Sequence, residues 1–270
     1  MKTALITRIK SLKEDEIRDF EDWLNVFNSD KRIANIYIIS LRDEEIEKLS
    51  INRDKIKSIV SDEPTSPTSI NLAISELKND IDYFIVASKE VGVTEKKLDN
   101  LITEIENSKK YKLLVTGYKF KIVDKNGKLD KKLNNELQDY YKNDDLIAYK
   151  VPWNTCAIWN RKLFKKVEKF DEITAKNPFP DVYVCIDNVC SLTPHQGMED
   201  GLAIAEAVNK NKNLKFKLLD DYLSWEVNVG KEENHREKLA RKETVLRNFM
   251  RVRNYYVDDL KAAEMQASSS

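Results

Sequence analysis

Four short apolar runs near the N-terminus constrain this chain more than any other feature. They lie at residues 3–9 (TALITRI), 33–41 (IANIYIISL), 55–60 (KIKSIV) and 81–87 (IDYFIVA). Rich in β-branched and aromatic residues, they read as strands of a buried sheet. Between the first two, Ile17, Phe20, Trp23, Leu24 and Phe27 recur every three or four residues, the pattern of a helix, with Ser11 as its expected cap. Pro64 and Pro67 open a loop, and Ser66 or Thr68 is expected to cap a helix over residues 69–77. Strands alternating with helices at this length predict an α/β domain with a mainly parallel sheet, in which ligands sit at the carboxyl ends of the strands.

The alternation continues. Residues 94–107 predict a helix with Leu98, Leu101, Ile102 and Ile105 on one face. Residues 111–123 predict a strand, or a strand pair bent at Gly117, followed by a turn at residues 124–127. The charged stretch 128–144 is expected as a surface helix or loop mobile over the site, and 146–153 (LIAYKVPW) as a strand. Residues 161–167 read as a short amphipathic helix, 181–190 as a hairpin or irregular insertion, and 214–219 and 222–229 as strands. From 231 to 266 there is no Gly or Pro, and Leu239, Leu246, Phe249, Met250, Val257 and Leu260 fall at helical spacings. The basic set of Arg236, Lys238, Arg241, Lys242, Arg247, Arg251 and Arg253 is either solvated or, in part, meets a diphosphate, lipid headgroups or a partner. The expected organisation is a main domain over 1–230, a C-terminal helical extension over 231–266 and a disordered tail over 267–270.

Composition excludes several functions. With 46 basic and 46 acidic residues the chain carries no net charge, so no dedicated nucleic-acid binding is expected. No apolar run is long enough for a transmembrane span, and the polar N-terminus does not read as a secretory leader; a cytoplasmic protein is expected, with peripheral membrane contact left open. Cys156, Cys185 and Cys190 sit in apolar segments and read as buried free thiols. His195 and His235 are the only histidines, and neither lies at zinc-ligand spacing from a cysteine pair. No glycine precedes Gly92, which excludes a Rossmann fingerprint in the first strand-to-helix turn, and no Walker loop is present.

The segment Gly197-Met198-Glu199-Asp200-Gly201 places two adjacent carboxylates at the start of an apolar helix. Taken alone they either complement the helix dipole or do chemistry. Their context resembles the GT-A glycosyltransferases, nearest to the inverting group called family 2. Residues 69–74 (SINLAI) followed by the strand at 82–86 look like the family's Ala-Arg-Asn-x-Gly helix and the strand after it. Residues 154–164, closing at Phe170-Asp171-Glu172, are similar to the acceptor-side segment, and Glu199-Asp200 matches the Glu-Asp motif in the expected order.

The resemblance implies a GT-A fold, a nucleotide-sugar donor and a hydroxyl-bearing acceptor such as a glycan or lipid. It implies Asp200 as general base with inversion at the anomeric carbon, and Glu199 orienting the acceptor or a donor hydroxyl. Lys89, with Thr7 and Arg8, would face the diphosphate. Asp43, Asp62 and Asn71 would lie on the nucleotide side, Asp62 as base or ribose partner. Trp153, Asn154 and Trp225, with Trp159, are acceptor or sugar-stacking candidates, the tryptophans equally readable as core aromatics. One departure stands out. The family's Asp-x-Asp element, which holds Mn or Mg on the diphosphate, is here Ser88-Lys89-Glu90, leaving Glu90 as the one metal-ligand candidate. Either Lys89 neutralises the diphosphate without metal, or the protein is a non-catalytic homologue binding carbohydrate or a partner. A sugar nucleotidyltransferase would be expected to show a glycine-rich N-terminal loop, which this chain lacks.

Overall fold

The first four apolar runs form strands β1 (Thr3–Arg8), β2 (Ile33–Ser40), β3 (Ile56–Val60) and β4 (Tyr83–Ala87), with β1, β2 and β4 buried almost end to end. The computed structural model describes residues 1–108, 112–170, 182–186, 189–193, 198–227 and 232–265. Five helices flank or connect these strands and the next: α1 (Glu14–Asn28), α2 (Glu44–Glu47), α3 (Pro67–Ser75), α4 (Glu95–Asn107) and α5 (Lys131–Lys142). Strands β5 (Val91–Gly92), β6 (Leu113–Val123) and β7 (Cys156–Asn160) follow in the chain, then α6 (Arg161–Phe164), the hairpin β8 (Val182–Ile186) and β9 (Val189–Thr193), α7 (Glu199–Lys210) and β10 (Lys215–Glu226). Helices α8 (Glu232–Val252) and α9 (Val257–Ala263) complete it.

The main sheet has the order β3-β2-β1-β4-β7-β6-β10-β5. β1 pairs in parallel with β2 and β4, β2 with β3, and β10 with β6. β7 runs antiparallel between β4 and β6, and β5 runs antiparallel on the β10 edge. This is the mixed, mainly parallel sheet flanked by helices that the resemblance implies. No helix among the described residues is long and apolar enough to cross a membrane.

Burial explains most elements. α1 places Phe20, Trp23, Leu24 and Phe27 in the core, and Trp23 Nε1 donates to Val91 O at 2.9 Å, tying the helix to β5. Thr94 caps α4 by accepting from the Lys97 amide, and Asp130 and Asn160 do the same for α5 and α6. Under the sheet, Trp159 stacks on Phe84 with ring centroids 6.3 Å apart and meets Phe164 and Phe170 edge-on.

Several expectations are corrected. Ser11 does not cap α1, whose N-cap is Lys13 without a side-chain bond; Ser66, not Thr68, precedes α3, with Pro67 in its first turn. The run 146–153 is no strand: residues Ile147–Tyr149 form a 3-10 turn, and Ile147, Ala148, Tyr149, Val151 and Trp153 are all buried, so packing rather than ladder pairing accounts for their apolarity. α5 is no mobile cover, since Leu133, Asn134, Leu137 and Tyr141 are buried against the fold. Residues 113–123 form one strand and 215–226 another, the latter with a register shift between Leu219 and Tyr222.

Gly117 sits where β6 meets the segment entering β7. A Cβ there would lie 2.9 Å from both Cys156 O and Pro152 Cβ, closer than side-chain carbons approach backbone. Gly117→Ala is therefore expected to cost about 1–3 kcal/mol of stability by overpacking. Urea unfolding monitored by circular dichroism measures this, and an unchanged midpoint would mean that residues 152–156 shift freely.

Candidate functional site

The parallel strands end at one edge of the sheet, and a cleft of about 1230 Å³ opens there. Arg8 ends β1, Asp62 and Thr65 follow β3, and Ser88 and Glu90 lie between β4 and β5. Because β7 is antiparallel, its entry carries Asn154 and Thr155 to the same edge, where Trp225 of β10 also stands. Glu199 and Asp200 reach the cleft from the first turn of α7, and α8 forms a further wall with His235, Lys238, Arg241 and Lys242. The segment expected as an extension thus lines the same cleft as the carboxylate pair.

Asp200 and Glu199 are 3% and 7% exposed. Asp200 Oδ2 accepts the Asn154 amide and Oδ1 the Gly201 amide, each at 2.7 Å. Burial nevertheless dominates and pushes the Asp200 carboxyl up to about 6; the Lys242 ammonium pulls it down, the Glu199 charge raises it, and the two amide bonds favour the ionised form. Lys242 is itself buried, its Nζ 3.9 Å from the Trp153 ring centroid. Burial lowers its proton affinity, and the Asp200 and Glu199 carboxylates oppose that shift. Arg8 Nη2 lies 3.8 Å from Glu199 Oε1, and its Nη1 donates to Thr65 O at 2.8 Å. His235 packs edge-on against Trp225 at 4.4 Å, and burial first, then the nearby lysines, push its imidazole down to about 4, so it is neutral at pH 7.

Of the residues anticipated from sequence, Arg8, Asp62, Ser88, Glu90, Asn154, Glu199, Asp200 and Trp225 come together on the cleft wall. Others do not. Lys89 turns to α1, its Nζ 2.7 Å from Glu16 Oε2, so its charge is taken up by a carboxylate outside the cleft. Asp43 accepts the Ser58 hydroxyl beside β3, away from the cleft. Asn71 exchanges two bonds of 2.8 Å with the Phe170 backbone, a clamp between α3 and the aromatic cluster. Thr7 is buried in β1, and its Oγ1 has no partner among the described residues. Trp153 lies under Lys242 in an aromatic stack with Phe120, where it cannot offer a sugar a free face. Gly197, which begins the carboxylate motif, and His195 lie outside the described residues, as do the side chains of Cys185 and Cys190. Cys156 is a buried free thiol, and burial pushes it up to about 12.

The slot at Ser88–Glu90 does not fit a divalent cation. Its one carboxylate, Glu90, accepts the Ser88 hydroxyl, and its lysine faces Glu16. No cluster of three or more potential metal-ligating side chains occurs among the described residues. Sequence reasoning left α8 open between a solvated face and a surface that meets a diphosphate, lipid headgroups or a partner, and did not single out the residues that line the cleft. Lys242 was one of seven basic residues in a helical stretch, and only the 238, 241, 242 spacing hinted that three share a face.

No protein-family model matches the chain, and no curated protein matches it at a significant level. Solved structures do match. Glucosyl-3-phosphoglycerate synthase from Mycobacterium tuberculosis, in complex with Mn2+, UDP-glucose and phosphoglyceric acid, aligns with TM-score 0.53 at 8% identity, over 92% of this chain and 79% of that one. S. aureus TarS 1-349 with UDP-GlcNAc aligns with TM-score 0.52 at 15% identity, over 93% and 72%; the match spans 43% of the longer TarS chain. The 4-diphosphocytidyl-2C-methyl-D-erythritol synthase of Anaerococcus prevotii aligns with TM-score 0.50 at 14% identity, over 88% and 95%. The fold is the GT-A fold of nucleotide-sugar transferases.

If Lys242 holds the Asp200 charge, Lys242→Met removes that attraction and leaves Glu199, so Asp200 titrates above its present value of about 6. Carboxyl 13C chemical shifts followed against pH report the midpoint. A midpoint that stays in place means that the two groups do not interact.

Proposed function

We propose that the protein is a glycosyltransferase that moves a sugar from a nucleotide-sugar donor to an acceptor hydroxyl with inversion, Asp200 acting as general base. The observation that carries this reading is a buried carboxylate in a GT-A cleft, held by two backbone amides and titrating near pH 6. In the reaction the acceptor hydroxyl gives its proton to Asp200, and its oxygen bonds to the anomeric carbon from the face opposite the diphosphate. The anomeric carbon–oxygen bond breaks, and the nucleoside diphosphate leaves with the bonding pair.

Glu199, one residue away and within reach of Arg8, orients the acceptor or a donor hydroxyl. Trp225 and Asn154 line the acceptor side, and Asp62, after β3, takes the nucleoside. The leaving diphosphate is met by cleft cations, Arg8 among them, and no step is routed through a metal because the Ser88–Glu90 donor set does not suit one. The same slot supports a second reading, a non-catalytic nucleotide-sugar-binding homologue, since Lys89 is turned to Glu16.

A panel of nucleotide-sugars assayed for transfer, paired with thermal shifts by nucleoside diphosphates, separates the two readings. For the enzyme, Asp200→Asn lowers transfer by about 10²–10⁴-fold while the nucleotide still stabilises the fold. The base works only when ionised, so kcat/KM falls as pH drops through about 6, the value to which burial raises Asp200. Nucleotide stabilisation without transfer from any donor, in a protein indifferent to Asp200→Asn, would establish the non-catalytic homologue instead.

A further inference from the structure

The structure divides the seven basic residues of the C-terminal helices by what they meet. Arg236 Nε pairs with Glu136 at 3.0 Å, Arg247 Nε with Glu243 at 2.5 Å, and Arg253 lies over the Phe249 ring. Arg251 is exposed. Lys238, Arg241 and Lys242 differ: all three line the cleft.

Of these, Lys242 is matched by Asp200 and Glu199. Among the described residues, Lys238 and Arg241 are not so matched. Neither makes a hydrogen bond or ion pair among the described residues, and the Arg241 Nε is buried without a partner. Burial lowers the proton affinity of the Arg241 guanidinium, and Glu237, one turn back, opposes the shift. Arg241 and Lys238 also each repel Lys242. A half-buried guanidinium facing a cleft beside two ammonium groups is a costly arrangement in the absence of an anion. Its planar set of donors suits a phosphate oxygen pair.

We propose that Lys238 and Arg241 form a phosphate-binding site on the α8 wall of the cleft, with Lys242 behind them linking it to Asp200. The proposal rests on the transferase reading for the identity of the phosphate, which is either the donor's diphosphate or a phosphate on the acceptor. The cation cluster itself stands on its own geometry. Charge that the Ser88–Glu90 slot does not supply is thereby brought from α8.

Calorimetric titration of the full chain with UDP, uridine, inorganic pyrophosphate and glycerol 3-phosphate tests this, comparing wild type with Arg241→Gln and the exposed, readily tolerated Lys238→Gln. Each substitution is expected to weaken the phosphate-bearing probe about tenfold, the size of one charge-assisted bond, and to leave any uridine binding unchanged. Loss confined to UDP and pyrophosphate assigns the site to the donor, and loss confined to glycerol 3-phosphate assigns it to a phosphorylated acceptor. Equal affinities for every probe in wild type and both variants, or no binding of any phosphate probe, overturns the site. If pyrophosphate binding is lost in the variants while the wild type transfers no sugar, the site stands and the transferase reading falls. If the wild type transfers sugar and all affinities are unchanged, the reverse holds.

Discussion

β7 runs against its neighbours between β4 and β6, where Trp159 is paired with Phe84 on one side and Val115 on the other. In a purely parallel sheet the residues before a strand lie at the edge away from the ligand. Reversing one strand brings its entry segment, residues 147–155, to the carboxyl edge instead. That segment is held from both directions. Trp159 Nε1 donates to Asn154 Oδ1 at 2.9 Å from below, and the Glu243 carboxylate of α8 accepts the Ala148 amide at 2.7 Å from above. With the loop fixed, the Asn154 amide points at Asp200, so a carboxylate on α7 is positioned by a strand at the centre of the sheet. Core packing and site geometry are here the same set of contacts.

Buried charge is the second consequence. Taking a carboxylate and an ammonium out of water costs several kcal/mol per ion, which a close pair and added hydrogen bonds offset in part. Asp200 has two amide donors, the N-terminal dipole of α7 and Lys242; Lys242 has two carboxylates and the face of Trp153. Replacing a buried ion pair by apolar residues of similar volume is often neutral or stabilising, so stability alone does not account for the pair. Burial raises the Asp200 carboxyl to about 6, and Lys242 with the two amides keeps it from rising further. The neutral His235 nearby adds no positive charge that would lower it.

The strands of the first half were legible because a sheet covered on both faces needs continuous apolar runs, and 3–9, 33–41 and 81–87 have little else that they can be. The same logic failed at 146–153, where an equally apolar run is buried by α8 and the aromatic stack without joining a ladder. Composition reports burial there and says nothing of hydrogen bonding. The carboxylate pair was legible from local sequence, since adjacent acids before an apolar helix are a local pattern. Lys89 and Lys242 were not. Both are lysines beside acids in the chain, and which one faces the cleft is decided by contacts more than 40 residues away in sequence, with Glu16 and with Asp200.

Those two lysines also describe how charge is distributed across the cleft. A diphosphate leaving group requires positive charge close to the breaking bond. On the sheet side, the slot between β4 and β5 presents a serine and a carboxylate already bonded to each other, and its lysine is held 2.7 Å from Glu16. At the end of β1, Arg8 leans on Glu199 at 3.8 Å and on the Thr65 carbonyl, and Lys10 lines the cleft just beyond it. The α8 wall is built differently: it brings Lys238, Arg241 and Lys242 to the cleft, and among the described residues Asp200 and Glu199 match only the last of them. Among the described residues, three of the five cations that line the cleft, Lys238, Arg241 and Lys242, therefore sit on α8, beside Glu237, and two, Arg8 and Lys10, follow from β1. Because α8 is also fixed to the β7 entry loop through Glu243 and Ala148, its charge is placed by the same contacts that place the Asp200 carboxylate. Helix, loop and carboxylate form one mechanical unit, and the C-terminal segment belongs to the cleft as much as the strands do.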